Sequence, residues 1–353
     1  MTKVSFPLMG DYYVPAKFLL NHILKVEVIE PPFISNKTIE LGSKYSPEFV
    51  CTPFKYTLGT MIESIEKGAD TLIQMGGGCR YGYYANVQKE ILDNLGYDVR
   101  VINLVTKGQM DIGRIYRLLK EIDPKVSKLQ TVYYSFLVIK MVKYMDLIDD
   151  YIRANIGFEI NDGEFLEVRN LMLNDFAKVK NYRELRRLYK DYFWRFKKIK
   201  VRKPDNCLKI GIIGELYTIM EPFSNYFLEK ELAKNHIEIK RFTTAHYLLF
   251  EKAFKIKKYI KYVKKYIKYP MGADASDNVA RTKYLCEHGY DGIIHIKSSF
   301  CTPEIGAMPI ISKIAGEYDV PVLFFSFDAN TSETGIKTRL EAFYDMLEMR
   351  REK

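Results

Sequence analysis

Three glycines and a cysteine follow a short apolar stretch in residues 71–84, which read TLIQMGGGCRYGYY. The apolar part, residues 71–75, predicts a strand, and the glycines allow a sharp turn and a close approach of the main chain to a ligand. Cys79 is therefore expected to be displayed beyond the end of a strand rather than packed. The alternative is a tight strand-to-helix turn that carries a cysteine without a function.

Two further cysteines share a different local pattern. Cys51 and Cys301 each follow a phenylalanine by one or two residues, and each is followed directly by Thr-Pro. Proline is favoured in the first turn of a helix, where its missing amide would have had no helical partner. Both thiols are therefore predicted at helix starts, where the helix dipole favours a thiolate. Cys207, at a predicted strand start, and Cys286, late in a predicted helix, are expected to be small buried side chains.

Three displayed thiols could hold a metal. Zinc would need a fourth ligand and usually draws on closely spaced Cys-x-x-Cys pairs, which the sequence lacks. An iron–sulfur cubane bound by three cysteines, with one iron left open, fits better because thiolates suit such clusters. A catalytic thiol is less favoured, since no histidine stands in a motif relation to these cysteines, and His295 is expected in a core strand. The odd total of five cysteines argues against a disulfide framework.

The elements around these cysteines predict an α/β protein with two Rossmann-like parallel-sheet domains bridged by a helical segment. Strands alternate with helices in residues 1–113 and again in residues 205–353, a pattern typical of parallel sheets covered by helices. Residues 114–204 are helical by pattern and form the expected bridge. Ligands of such sheets bind outside the carboxyl ends of the strands, and Cys79 and Cys301 each follow such an end.

The net charge of +10 is concentrated in two stretches, residues 183–203 and 252–268. The second predicts an amphipathic helix with a lysine face, which is either solvated or a docking surface for an acidic partner protein or a phosphate-bearing substrate. No nucleic-acid-binding motif accompanies the charge, so a nucleic-acid partner is not expected. The beginning of the sequence lacks a signal-peptide pattern, and no apolar run approaches the ~18 residues of a membrane span. A cytoplasmic protein without a membrane partner is therefore expected.

Several segments together resemble a known family: FPLMGDYYVP, LGSKYSPEFVCTPFKYTLG, ADTLIQMGGGCRYGYY, IGIIGELYTIMEPFSN and TRLEAFYDML. They are similar to acyl-CoA dehydratase activase-related proteins, which are akin to subunits of 2-hydroxyacyl-CoA dehydratases, benzoyl-CoA reductases and double-cubane-cluster proteins. The resemblance implies an iron–sulfur cluster between two Rossmann-like domains, either a 4Fe-4S cubane or an 8Fe-9S double cubane. It implies that the cluster is bound by Cys51, Cys79 and Cys301, beside Gly76, Gly77 and Gly78.

The same resemblance implies an anaerobic function. The chain would take a low-potential electron from a separate ATP-driven activase and use it for radical dehydration or reduction of an acyl-CoA-type or small substrate, as a dehydratase-like lyase or an iron–sulfur reductase, and as a dimer. The sequence has no GxxxxGKS/T motif, so it is not expected to hydrolyse ATP itself. A non-catalytic electron-transfer or cluster-carrier protein is one alternative, and a metal-free two-lobed small-molecule binder is another.

Proton transfer would need acid and base groups near the same strand ends. Glu215, Tyr217 and Glu221 follow a predicted strand in the second domain and are candidates for this role. Ordinary polar residues of a loop are the alternative interpretation of all three.

Overall fold

A computed structural model describes residues 2–104 and 112–352. The chain divides into two compact units, which we call unit 1 (Met1–Met141) and unit 2 (Val142–Lys353). The boundary between the units lies inside the segment 114–204 that the sequence predicts to be helical. None of the helices in the described ranges combines the length and the apolarity that crossing a bilayer requires.

Unit 1 is built on a parallel sheet of four described strands. The strands are β1 (Lys3–Ser5), β2 (Glu27–Val28), β3 (Thr71–Gln74) and β4 (Arg100–Asn103), in the order β2-β1-β3-β4. Every residue of β3 is buried, as expected for a central strand of a parallel sheet. The helices of this part of the chain are α1 (Tyr13–Ile23), α2 (Asn36–Tyr45), α3 (Thr52–Glu66), α4 (Tyr84–Asn94), α5 (Ile112–Ile122) and α6 (Lys128–Asn155), the last of which extends into unit 2.

Helices α2 and α3 pack backbone against backbone. A Cβ atom added to Gly42 would lie 1.8 Å from the carbonyl oxygen of Lys55, and one added to Gly59 would lie 1.9 Å from that of Thr38. Neither position could hold a side chain without moving a helix. This contact fixes the position of α3 and therefore of Cys51, which precedes its first residue.

Unit 2 repeats the topology of the first sheet. Its strands are β5 (Lys209–Gly214), β6 (Glu238–Arg241), β7 (Gly292–Ser298) and β8 (Val322–Phe327), and all pair in parallel in the order β6-β5-β7-β8. The helices wholly within this unit are α7 (Glu164–Phe176), α8 (Tyr182–Lys198), α9 (Leu216–Met220), α10 (Leu228–Lys234), α11 (Lys252–Tyr262), α12 (Ala275–Glu287), α13 (Thr302–Glu317) and α14 (Glu333–Arg351). Two parallel four-stranded sheets with many helices confirm the predicted α/β class.

The end of β5 lies very close to β7. Gly214 has φ = 151°, and a Cβ atom there would lie 1.9 Å from the carbonyl oxygen of Ile296. Only glycine fits both the backbone conformation and the space. In each sheet the chain adds its second strand on one side of the first strand and its third strand on the other. The carboxyl ends of β5 and β7 thus flank a topological switch point, the usual place of a ligand in such sheets.

The lysine-rich helix is shorter than its sequence pattern predicts. Helix α11 ends at Tyr262, whereas the pattern of lysines and apolar residues continues to Lys268. Val263 and Ile267 lie beyond the helix and are buried in the core cluster that includes Ile213. Tertiary packing of these two residues therefore takes the place of a continued helix.

Candidate functional site

Cys51 and Cys79 both lie at the carboxyl edge of the sheet in unit 1. Cys51 is the N-cap of α3, with Pro53 in the first turn, as the sequence predicts. A helix that precedes a parallel strand runs back across the sheet, so its N-terminus lies at the carboxyl ends of the strands. Cys79 follows β3 and is the N-cap of a short 3-10 helix, Arg80–Tyr83. Both cysteines are partly exposed.

The two thiols contact one group of aromatic residues. The Cys51 Sγ atom is hydrogen-bonded to the hydroxyl of Tyr84, whose ring centroid lies 4.9 Å from that of Phe54 and 4.7 Å from that of Tyr81. The backbone amide of Tyr81 donates a hydrogen bond of 3.5 Å to the Cys79 Sγ atom. Two of the three predicted ligands therefore pack against the same hydrophobic cluster, although 27 residues separate them in the sequence.

The glycine turn before Cys79 has the close backbone packing that the sequence suggests. Gly76 has φ = 71°, and a Cβ atom on Gly77 would lie 3.2 Å from the Cβ atom of Tyr81. Gly78 is exposed. The turn thus passes close to the aromatic cluster and then leaves the thiol partly accessible to solvent.

Cys301 begins a helix in unit 2 in the same way that Cys51 does in unit 1. It is the N-cap of α13, with Pro303 in the first turn, and its amide donates to the carbonyl of Ser298 at 3.0 Å. Its own carbonyl accepts from Ile305 at 3.0 Å. The thiol is partly exposed. Within residues 2–104 and 112–352, no group of three or more histidine, cysteine, aspartate or glutamate side chains is arranged to hold a metal ion.

Glu215 caps the short helix α9 with its side chain. Its carboxylate accepts hydrogen bonds from the amides of Tyr217, at 2.8 Å, and of Thr218, at 3.1 Å, and from the Thr218 hydroxyl, at 2.5 Å. Burial nevertheless raises the pKa of Glu215 to about 7, because desolvation outweighs these hydrogen bonds and the carboxylate of Asp274 adds to it. Glu215 can therefore exchange a proton near neutral pH.

The other two proposed proton-handling residues are also buried. Tyr217 is completely inaccessible, and Glu221 is 4% exposed, with one carboxylate oxygen accepting from the amide of Phe223 at 3.2 Å. All three side chains follow β5, as predicted, but they line the inside of the turn rather than an open surface.

A buried hydrogen-bond network joins the end of β5 to the first turn of α13. Asn278 donates to the carbonyl of Gly214 and to both carboxylate oxygens of Glu304, each at 3.0 Å. His295 Nε2 lies 2.8 Å from the same carboxylate, and all three side chains are fully buried. The core position of His295 confirms the prediction. The sequence could have suggested Glu304, which lies three residues after Cys301, but nothing in it marks the distant Asn278.

A second buried network connects α9 to the start of the lysine-rich helix. Asp274 accepts from the amide of Leu216 at 3.1 Å and pairs with Lys252 at 2.5 Å. Lys252 also pairs with Asp277, at 3.1 Å, which in turn accepts from the hydroxyl of Tyr247 at 2.9 Å. Burial lowers the pKa of Lys252, but the two aspartates outweigh it, and the net effect is a raised pKa. The lysine remains charged in this network.

The two remaining cysteines differ from the three displayed ones. Cys207 lies just before β5, where a strand start was predicted, and burial raises the pKa of its thiol. Cys286 is partly exposed rather than buried as predicted, because it lies near the end of α12. It still packs against a core cluster, and burial raises the pKa of its thiol to about 11. Both are therefore protonated thiols at neutral pH and poor metal ligands.

The raised pKa of Glu215 predicts a pH-dependent stability. Its folded-state value of about 7 exceeds its ordinary value of 4.5, so the folded state holds the proton more tightly. The contribution of protonated Glu215 to the free energy of unfolding is complete below pH 4.5, falls as the pH rises to 7 and is lost above pH 7. The free energy of unfolding changes by roughly 3 kcal/mol over this range.

We expect Glu215→Gln to reduce this dependence of the free energy of unfolding on pH. The measurement is the urea midpoint between pH 5 and 8, followed by fluorescence of Trp194, the single tryptophan in the sequence. If the urea midpoint changes with pH equally in the wild type and in Glu215→Gln, the raised pKa assigned to Glu215 is contradicted.

Comparison with known proteins adds a finding for unit 2. Residues 217–347 match the family model of 2-hydroxyglutaryl-CoA dehydratase, D-component. The match confirms the predicted relationship to 2-hydroxyacyl-CoA dehydratases over these residues, which are less than half of the chain. Cys301 lies inside the matched segment, whereas Cys51 and Cys79 lie outside it. No curated protein sequence matches the chain.

Proposed function

Because residues 217–347 are related to the 2-hydroxyacyl-CoA dehydratases, we propose that the chain is an iron–sulfur protein of dehydratase-like function, with Cys51, Cys79 and Cys301 as cluster ligands. The observation that carries this proposal is the shared setting of the three cysteines. Each is the N-cap of a helix and each is partly exposed. Cys79 and Cys301 follow parallel strands, and Cys51 lies at the carboxyl edge of its sheet. The other two cysteines lack this setting.

The donor set fits an iron–sulfur cluster. Cysteine thiolates are the usual ligands of such clusters, and backbone amides that donate to sulfur stabilise the reduced state. The amide of Tyr81 already points at the Cys79 Sγ atom, and the N-terminal dipoles of α3 and α13 favour the thiolates of Cys51 and Cys301. The main chain of Gly76, Gly77 and Gly78 would lie close to the cluster beside Cys79. The same donors suit a 4Fe-4S cubane and an 8Fe-9S double cubane.

A bound cluster would supply one-electron transfer at low potential. The protein's own residues would then bind the substrate, exclude water and move protons. Glu215 can hold and release a proton near pH 7, which suits it to serve as the acid or base of a dehydration. Tyr217 and Glu221 would hold the turn that orients it, since both are buried in that turn. The proposed substrate is an acyl-CoA thioester, of which 2-hydroxyglutaryl-CoA is the first to test.

The proposed electron donor is a separate ATP-driven activase, and the proposed assembly is a dimer. Helix α11 and the residues after it offer a basic surface to an acidic partner or to the phosphates of a CoA substrate. Five lysines there are exposed and form no ion pair with any residue that the structure describes: Lys257, Lys258, Lys261, Lys264 and Lys268. Surface charge of one sign speeds the association of oppositely charged partners.

A non-catalytic electron-transfer or cluster-carrier protein is the second candidate. The burial of Glu215, Tyr217 and Glu221 favours it, because a substrate would have to enter the turn to reach any of them. Both candidates require the cluster, but only the first requires turnover.

The test is anaerobic purification followed by iron and acid-labile sulfide quantification and EPR of the reduced protein. The loaded protein is then given a dehydratase activase, ATP, reductant and 2-hydroxyglutaryl-CoA. Stoichiometric iron and sulfide with dehydration supports the enzyme, and the same cluster without dehydration of this or other 2-hydroxyacyl-CoA thioesters supports the carrier. A protein without iron and sulfide would contradict both.

A further inference from the structure

Lys297 is a buried cation at the end of β7, close to Cys301. Its side chain is 4% exposed, and its ammonium donates hydrogen bonds to the backbone carbonyls of Ser298 and Ser299, both at 3.4 Å. Among residues 2–104 and 112–352, no carboxylate lies within ion-pair distance of it. Two long hydrogen bonds compensate poorly for the removal of an ammonium group from water.

The carbonyl of Ser298 links this ammonium to the cysteine. It accepts from Lys297 Nζ at 3.4 Å and from the amide of Cys301 at 3.0 Å. The lysine side chain thus folds back under the turn that carries Cys301 into α13. The ammonium and the backbone amide of Cys301 therefore share one acceptor, the carbonyl oxygen of Ser298.

In the part of the chain that the structure describes, two groups favour the charged form of Lys297. Burial lowers the pKa of Lys297, whereas Cys301 and, more weakly, Glu304 oppose this effect. The Glu304 carboxylate already accepts hydrogen bonds from Asn278 and is hydrogen-bonded to His295. The negative charge best placed to balance Lys297 is therefore one held at Cys301.

We infer that Lys297 is the cation that balances the negative charge held at Cys301, and that it thereby sets how readily this centre accepts an electron. The inference rests on the proposed function. A cluster with thiolate ligands is anionic, and a one-electron reduction by the donor adds one negative charge without breaking a covalent bond. A fixed buried cation stabilises the reduced form more than the oxidised form, because the interaction grows with the charge. Lys297 is thus a positioning and charge-balancing residue rather than a catalytic one.

Substitution of Lys297 by methionine, which has a similar length and no charge, tests this role. We expect Lys297→Met to keep iron and sulfide but to shift the midpoint potential to a more negative value in an EPR-monitored redox titration. At a fixed applied potential, the ratio of reduced to oxidised cluster should fall roughly tenfold or more, as the loss of one nearby charge in a partly buried site predicts. Lys297→Arg keeps the charge and should remain close to the wild type.

Lys313→Met is the matched control. Lys313 lies on α13 as well but is exposed, so its removal changes the net charge equally without changing the buried site. The midpoint potential of the cluster in Lys313→Met should equal that of the wild-type protein. If Lys297→Met loses iron while Lys297→Arg retains it, the charge is again what the centre requires.

Two outcomes would overturn the inference. One is a Lys297→Met protein that keeps the full cluster and has the same midpoint potential as the Lys313→Met protein. The other is equal loss of iron in Lys297→Met and Lys297→Arg, both with unchanged circular dichroism, because shape rather than charge would then matter. A wild-type protein without iron would instead contradict the proposed function itself, so the two failures are distinguishable.

Discussion

Cys79→Ser is expected to reduce the iron and acid-labile sulfide of anaerobically purified protein to background. Serine keeps the size and the turn but replaces the thiolate with an alcohol, which iron–sulfur clusters bind weakly. The Cys79 Sγ atom accepts from the amide of Tyr81, and the oxygen of a serine can accept the same hydrogen bond. The fold should therefore survive, and the measured loss should be that of the ligand.

Cys286→Ser is the matched control for this experiment. Cys286 lies at the end of α12 against a core cluster, and burial raises its thiol pKa to about 11, so it should contribute nothing to metal binding. This variant should retain iron and sulfide at wild-type levels. Cys51→Ser and Cys301→Ser should behave like Cys79→Ser. Equal iron loss in Cys286→Ser and Cys79→Ser would contradict the ligand assignment.

Glu304→Ala is expected to lower the free energy of unfolding by about 2 to 5 kcal/mol. The change leaves the side chains of Asn278 and His295 without their shared carboxylate, and all three residues are fully buried. A buried polar group that loses its partner costs more than the hydrogen bond itself contributed. The measurement is a shift of the urea midpoint at pH 7, followed by the fluorescence of Trp194, which lies in unit 2.

Glu304→Gln separates the loss of hydrogen bonds from the loss of the side chain. The amide oxygen can still accept from Asn278, and the amide nitrogen can donate to His295 if the imidazole changes its tautomer. The loss should therefore be smaller than that of Glu304→Ala. Glu341→Ala, at an exposed position of α14, should change the midpoint little. A loss in Glu304→Ala no larger than in Glu341→Ala would show that the network does not stabilise unit 2.

Local sequence chemistry was sufficient to place the helix starts that carry cysteines. Thr-Pro after Cys51 and after Cys301 predicted two helix N-termini, and both cysteines are N-caps. Such predictions succeed because the preference of proline for the first turn depends on a few neighbouring residues only. The three glycines before Cys79 likewise predicted a sharp turn beyond β3.

Contacts between distant residues were beyond prediction from one sequence. The helix expected to reach Lys268 stops at Tyr262 because Val263 and Ile267 are buried in a core built from other elements. Asn278 gives no local signal, and only the packing of α12 against β5 and α13 brings it to Gly214 and Glu304.

The α/β class, the parallel strands, the position of Cys79 after a strand and the positions of Cys51 and Cys301 at helix starts could all be predicted from the sequence, because periodicity and capping are local properties of a chain. Only the tertiary structure decided which side chains are withdrawn from water. It raised the pKa of Glu215 to about 7 and enclosed Lys297 beside Cys301. Desolvation is the physical reason, since it depends on every neighbour that excludes water, and those neighbours come from all parts of the chain.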